Sequence, residues 1–129
     1  MLVVDGANVV GARPDGWWRD RAGAARRLVD AIAGAVASGA LDPPVAVVLE
    51  GAARAGVAAG TVAAGVTVVH APAVGDDVIV ALVERAMAPG SGSPAPPSVR
   101  VVTADRALRA RVTTLGAGCV GPGWLRDRC

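Results

Sequence analysis

Runs of apolar residues recur along this chain and alternate with longer segments in which apolar residues keep helical spacing. Within each run, apolar residues follow one another without alternating polar positions, which is typical of parallel strands buried on both faces. The runs predict five strands, at residues 2–4, 45–49, 66–69, 99–102 and 119–120.

The segments between the runs predict helices. Residues 17–38 carry apolar side chains such as Leu28, Val29 and Ile32 at helical spacing, and Gly39 follows as a stop. Further helices are predicted at residues 76–87 and 106–115, with a short one within 51–65 and a last turn at 122–128. Alternating strands and helices indicate an α/β fold in which helices cover both faces of a parallel sheet.

Length and composition narrow the class further. The 129 residues fit a single domain, with a flexible surface loop predicted at residues 89–98 (PGSGSPAPPS). A net charge of +2, carried without any lysine, does not by itself indicate nucleic-acid binding. The two cysteines give neither metal-site spacing nor a disulfide framework. With no secretory signal and no membrane span in the pattern, we expect a cytoplasmic protein.

Acidic side chains follow the predicted strands at the edge where open α/β sheets bind ligands. Asp5, Glu50 and Asp105 come directly after strands, and Asp76 and Asp77 begin the helix after the third strand. Asp76, Asp77 and Asp105 could each be a helix cap, and Glu50 could be a solvated loop residue, whereas Asp5 precedes no immediate apolar helix. Together they repel one another, so a cation or a proton is needed to neutralise them. Oxygen ligands without cysteine or histidine favour Mg²⁺ or Mn²⁺, and such sites support phosphodiester hydrolysis.

Three short motifs at these strand ends resemble the NYN domain, in particular its YacP-like branch, within the PIN-like nucleases. They are VDGAN at residues 4–8, GDDVI at residues 75–79 and VVTADR at residues 101–106, and together they span nearly the whole chain. The resemblance implies a three-layer α/β/α domain with about five parallel strands in the order 3-2-1-4-5. It also implies RNA cleavage that depends on Mg²⁺ or Mn²⁺.

The same resemblance assigns roles by position. Asp5, Asp76 and Asp105 would be metal ligands and catalytic residues, and Asn8 would be a catalytic residue that orients Asp5 or a water. Asp77 would be an accessory ligand. YacP-like members usually carry aspartate where this chain has Glu50, so Glu50 is an accessory candidate that could reach the site through water.

Related α/β folds require residues that this chain lacks. A haloacid-dehalogenase phosphatase needs a second aspartate where Ala7 stands, and a receiver domain needs a lysine. A dinucleotide-binding domain needs the sequence GxGxxG after the first strand, and residues 6–11 (GANVVG) do not match it.

Basic and aromatic residues lie close to the acidic motifs in the sequence. We predict that five of them bind substrate, the arginines through phosphates and the tryptophan by stacking on a base. They are Arg13, Trp17, Arg19, Arg54 and Arg106. The alternatives are that the tryptophan packs against the helix entry and that the arginines pair with the carboxylates. His70, the only histidine, is expected to be structural.

The sequence therefore favours a metal-dependent ribonuclease with RNA as its partner. Two alternatives stay open: a nucleotide phosphohydrolase using the same metal site, and a catalytically degenerate PIN-like module that binds RNA or protein. A homodimer and an antitoxin-like protein partner are both compatible with the sequence, which distinguishes neither, nor endonuclease from exonuclease.

Overall fold

The computed structural model describes residues 1–88 and 98–129, and its core is one twisted sheet covered by helices on both faces. In the described residues the sheet has six strands: β1 (Leu2–Asp5), β2 (Val45–Leu49), β3 (Gly60–Ala63), β4 (Val66–His70), β5 (Arg100–Val102) and β6 (Gly118–Val120). The helices are α1 (Gly6–Gly11), α2 (Arg21–Ala37), α3 (Gly75–Met87), α4 (Arg106–Thr114) and α5 (Pro122–Arg126). Two 3₁₀ helices occur at Trp17–Arg19 and Gly51–Gly56.

The strands lie in the order β3-β4-β2-β1-β5-β6, and all adjacent pairs are parallel except β3 with β4. Without β3, this is the predicted order 3-2-1-4-5, which confirms the α/β/α fold class. Strand β1 is central, with Leu2 opposite Val45 of β2 and Arg100 of β5. Its carboxyl end therefore lies between the ends of both neighbours.

Two hydrophobic cores lie on opposite faces of the sheet, because successive strand residues point to opposite sides. Leu2 and Val4 pack with Val29 and Ile32 of α2 in one core. The other core includes Val3, together with residues of α3 and α4 such as Ile79, Val83, Leu108 and Val112. The buried stripe on each helix thus fixes the position of its first turn at the strand ends.

The structure corrects the prediction at residues 51–65, where only Gly51–Gly56 is helical. Strand β3 follows and pairs antiparallel with β4 through a turn in which Gly65 has a φ of 78°. Alanine, glycine, threonine and valine give no clear periodicity here, so the pairing with β4 decides the conformation.

The chain between β1 and α2 also differs from the prediction. Residues 6–11 form α1, which the sequence pattern did not predict, and the predicted helix at 17–38 begins only at Arg21. Asp20 ends the preceding 3₁₀ helix and caps α2, since its carboxylate accepts a hydrogen bond from the N–H of Gly23 at 2.8 Å.

Two predictions concern other parts of the chain. The predicted loop at 89–98 falls, except for its last residue, outside the described residues. Among the helices of residues 1–88 and 98–129, none combines the length and apolar character needed to cross a bilayer.

The close contact between Gly56 and α2 can be tested by substitution. A Cβ at this position would collide with the backbone carbonyl of Ala22 in α2, whereas a Cβ at Gly34 would meet no atom within 4 Å. We expect Gly56→Ala to reduce the free energy of unfolding by about 1–3 kcal/mol, as overpacking does. Gly34→Ala should raise it by about 0.5–1 kcal/mol, because alanine is the better helix former. Urea unfolding of both variants measures this, and equal stabilities would contradict the packing described.

Candidate functional site

Asp5 ends the central strand and is the buried acid of the site, with a relative exposure of 7%. One carboxylate oxygen accepts a hydrogen bond from the Thr103 hydroxyl at 2.9 Å, and the other accepts from the backbone N–H of Asn8 at 3.3 Å. Asp5 therefore caps α1, and the Thr103 hydroxyl, one residue after β5, fixes the orientation of its carboxylate. Gly6 permits this geometry, because a Cβ there would lie 2.6 Å from the carbonyl oxygen of Val48.

Asn8 and Thr103 tie the third motif to the first. The side-chain oxygen of Asn8 accepts a hydrogen bond from the N–H of Ala104 at 2.8 Å. The Thr103 hydroxyl, which donates to Asp5, accepts from the N–H of Asp105 at 3.1 Å. Asn8 therefore holds the loop before α4 and touches Asp5 through its backbone. The sequence alone suggested no role for Thr103, although this residue stands between a buried strand and Asp105.

The other predicted acids lie in the loops and first turns around Asp5. Asp105 is exposed and caps α4, accepting from the N–H of Leu108 at 2.9 Å. Asp76 lies in the first turn of α3 and is half-buried. Glu50 accepts a hydrogen bond from the N–H of Gly75, so it positions the start of the same helix.

Asp77 also lies in the first turn of α3, where its side chain forms an ion pair with α4. Its carboxylate is 85% exposed and lies 3.0 Å from the guanidinium of Arg111 in α4. The structure thus gives Asp77 a role in joining α3 to α4. The predicted role as an accessory metal ligand remains a prediction.

The acidic side chains at this edge raise one another's pKa values, in addition to the effect of burial. Burial raises the pKa of Asp5 above its usual range, and the charges of Asp76 and Glu50 raise it further, against the hydrogen bonds from Thr103 and Asn8. Burial also raises the pKa of Asp76, and the nearby charge of Asp105 adds to that effect, as do those of Glu50 and Asp77. We call Asp5, Glu50, Asp76 and Asp105 the acidic cluster.

The donor chemistry of the acidic cluster suits a hard divalent cation, since every candidate ligand is a carboxylate oxygen. The positions of the side chains, in contrast, do not form a ready-made set of metal ligands. Within residues 1–88 and 98–129, no three histidine, cysteine, aspartate or glutamate side chains are grouped closely enough to hold a metal ion. Asp5, Glu50 and Asp105 are instead each hydrogen-bonded to a backbone N–H. The cluster therefore fits a cation by charge and ligand type.

A groove of about 470 Å³ opens beside the acidic cluster and has Glu50 in its lining. Trp17, Arg21 and Arg54 line it together with residues of α1 and of the loop before α3. The guanidinium of Arg21 lies over the Trp17 ring, 5.4 Å from its centroid. The Nε–H of Arg54 donates to the carbonyl of Gly51 at 3.1 Å, which anchors the side chain and leaves the two terminal nitrogens of its guanidinium for other contacts.

The remaining predicted substrate residues lie elsewhere. Arg13 lines a second cavity on the other side of α1, and Arg19 stacks over the exposed ring of Trp18 at 5.8 Å. Arg106 is exposed at the first position of α4, next to Asp105. Arg21, which belongs to the same arginine- and tryptophan-rich stretch of the sequence as Arg13 and Arg19, is the one of these three arginines that lines the groove. His70 bonds the carbonyl of Val57 at 2.7 Å, an interaction that holds β4 to the segment before β3.

Comparison with known proteins bears on the fold. No protein-family profile and no curated protein matches this chain. Among solved structures, the crystal structure of Rae1 (YacP) from Bacillus subtilis is similar, with a TM-score of 0.69 at 19% sequence identity. The similarity covers 98% of this chain and 73% of that chain. The α/β/α fold predicted from the motifs is thereby confirmed, and it is the fold of that YacP structure.

The repulsion within the acidic cluster leads to a stability prediction. The pKa of Asp76 is raised on folding, so the folded protein binds this proton more tightly than the unfolded chain does. Stability contributed by the protonated group is present at low pH and is lost as the pH rises through the folded-state pKa. In EDTA at pH 7, Asp76→Asn should therefore raise the melting temperature by about 2 °C, equivalent to roughly 0.5 kcal/mol.

Glu84→Gln is the matched control, because Glu84 is exposed on the same helix. It should leave the melting temperature unchanged, and the gain from Asp76→Asn should vanish near pH 3, where both states are protonated. Differential scanning calorimetry from about pH 3, below the ordinary pKa of aspartate, to about pH 8 measures both. A loss of stability in Asp76→Asn at pH 7 would contradict the repulsion among these acids.

Proposed function

We propose that this chain, which has the fold of Rae1 (YacP), is a metal-dependent ribonuclease. The observation that carries the proposal is the acidic cluster: carboxylates from three strand ends and one helix start meet at the ligand-binding edge of the sheet. Burial, and then the charges of these neighbours, raise the pKa values of Asp5 and Asp76 there. A bound cation would neutralise the repulsion among these carboxylates and so explain why the folded protein keeps them together.

Asp5, Asp76 and Asp105 would hold this cation, with Glu50 as an accessory group. When bound, Mg²⁺ or Mn²⁺ supplies the positive charge that stabilises a phosphodiester under attack and lowers the pKa of the attacking water. The protein's own part is positioning. Thr103 holds the Asp5 carboxylate in one orientation, and Asn8 keeps the loop carrying Asp105 against α1.

The groove beside the acidic cluster supports RNA as the substrate. Arg54 and Arg21 present guanidinium groups to phosphate oxygens, and Trp17 offers a ring on which a base can stack. The guanidinium of Arg21 lies over that ring, so a charge that can bind phosphate stands beside the stacking surface. Single-stranded RNA fits this combination, since an unpaired base exposes its face.

A second candidate, a module that binds RNA without cleaving it, is favoured by one observation. Asp5, Glu50 and Asp105 already accept backbone hydrogen bonds, so the cluster could be retained for capping alone.

The cytoplasmic location, the homodimer and the antitoxin-like partner stay predictions.

Cleavage of labelled single-stranded RNA tests the proposal directly. We expect product with Mn²⁺ and none with EDTA, and Asp5→Asn should lower the rate by about 100-fold or more. That loss corresponds to roughly 3 kcal/mol of cation-mediated stabilisation. Glu84→Gln should cleave like the wild type.

Nucleoside triphosphates are tested in parallel with the RNA. Release of phosphate from them without RNA cleavage would indicate the nucleotide phosphohydrolase instead. RNA binding with no Mn²⁺-dependent product would indicate the binding module.

The hydrogen bond from Thr103 gives a separate prediction about pH. Its hydroxyl favours the ionised form of Asp5, so Thr103→Val should raise the pKa of Asp5 further. The acidic limb of the profile of kcat/KM against pH should then move to higher pH, and Thr103→Ser should restore it. A uniform fall in activity with an unmoved limb would show that Thr103 acts only through packing.

A further inference from the structure

A second cavity, of about 270 Å³, lies between α1, α2 and α5, away from the acidic cluster. Three arginines from three parts of the chain line it: Arg13 after α1, Arg27 in α2 and Arg126 in α5. Asp15 and the terminal residue Cys129 also line it. The three guanidinium groups outnumber the carboxylates of these two residues, so the lining carries a net positive charge and favours an anionic occupant.

These arginines are not occupied by other charges in the described part of the chain. The ion pairs found there join Arg26 to Asp30 and Arg111 to Asp77, and none involves an arginine of the cavity. Unpaired guanidinium groups from separate elements around one cavity suit several phosphate oxygens better than a single carboxylate.

Apart from Cys129, the rest of the lining is apolar. Val9, Ala24 and Leu125 are buried, with relative exposures of 7%, 8% and 1%, and Leu28 is partly buried beside them. An apolar lining combined with guanidinium groups matches a ligand that joins a flat base to a phosphate, because each part meets its own kind of surface. A nucleotide has this chemistry.

The cavity adjoins the groove beside the acidic cluster, since Val10 of α1 lines both. Ala7 at the groove and Gly11 are exposed on α1, and the Trp17 ring lies beside Gly11. A strand leaving the groove across α1 would therefore pass Val10 and the Trp17 ring to reach the cavity.

We propose that this cavity binds a nucleotide of the same single-stranded RNA whose scissile phosphate lies at the acidic cluster. The inference rests on the proposed function and deepens it, because it makes the substrate a strand several nucleotides long. Arg27 and Arg126 become RNA-binding residues, and Arg13, predicted from the sequence to bind substrate, acts here and not in the groove.

The test compares a single-stranded oligoribonucleotide of about 12 nucleotides, within the range of known single-strand site sizes, with a trinucleotide. Arg27→Ala/Arg126→Ala removes two positive charges from the cavity. Arg26→Ala/Arg85→Ala removes two arginines that line neither the cavity nor the groove. Binding is measured without Mn²⁺ by fluorescence anisotropy over a series of salt concentrations, and cleavage is measured with Mn²⁺.

We expect the cavity variant to bind the longer RNA about tenfold more weakly. The slope of log K against log salt should fall by about 1.4, which is about 0.7 for each phosphate that an arginine no longer neutralises. KM for the longer RNA should rise with kcat unchanged, and the trinucleotide should be unaffected. The control variant should behave like the wild type.

Equal binding of the longer RNA by the cavity and control variants would overturn the inference, whether or not the RNA is cleaved. Wild-type binding that depends on Arg27 and Arg126 without any Mn²⁺-dependent cleavage would support the cavity and overturn the ribonuclease. If adenosine monophosphate binds in an Arg27- and Arg126-dependent manner while RNA length gives no advantage, the cavity is a free-nucleotide site and the RNA proposal fails.

Discussion

The burial of the Asp5 carboxylate at the end of the central strand is the constraint on which the rest of the site depends. A carboxylate in this position loses hydration, and its pKa is raised by that burial first of all. Hydrogen bonds from Thr103 and the backbone of Asn8 offset part of this cost. These hydrogen bonds also connect β1, α1 and the loop before α4. The Asp5 carboxylate, whose charge is costly to bury, thus also fixes the positions of its neighbours.

The acids around Asp5 accept hydrogen bonds that fix the starts of two helices. Asp105 is the N-cap of α4, and Glu50, at the end of β2, accepts from the N–H of the first residue of α3. Because each cap lies at the carboxyl edge of a parallel sheet, capping brings negative charge toward Asp5 and Asp76. The fold therefore accumulates a negative charge that a cation or the arginines of the neighbouring groove can counter.

The sheet and the first turns of α3 and α4 were predictable, because continuous valine-rich runs and regularly spaced apolar residues are local signals. Helix α1 was not, since residues 6–11 are short and carry no full helical stripe, and its start is set by Asp5 and by the approach of Gly6 to β2. Strand β3 was missed because its residues become extended only through pairing with β4. Which arginine of residues 13–21 reaches the groove was not predictable, because the groove also needs the segment after β2, about 30 residues further along.

The sequence by itself determined which residues end strands and begin helices, and so it placed Asp5, Glu50, Asp76, Asp77 and Asp105 along one edge. Only the tertiary structure decided what each of them does there. It turned Asp77 toward Arg111, gave Glu50 the start of α3, and set Thr103 against Asp5. Position along an element follows from local periodicity. The partner of a side chain depends on elements that are distant in the sequence and meet only when both hydrophobic cores form.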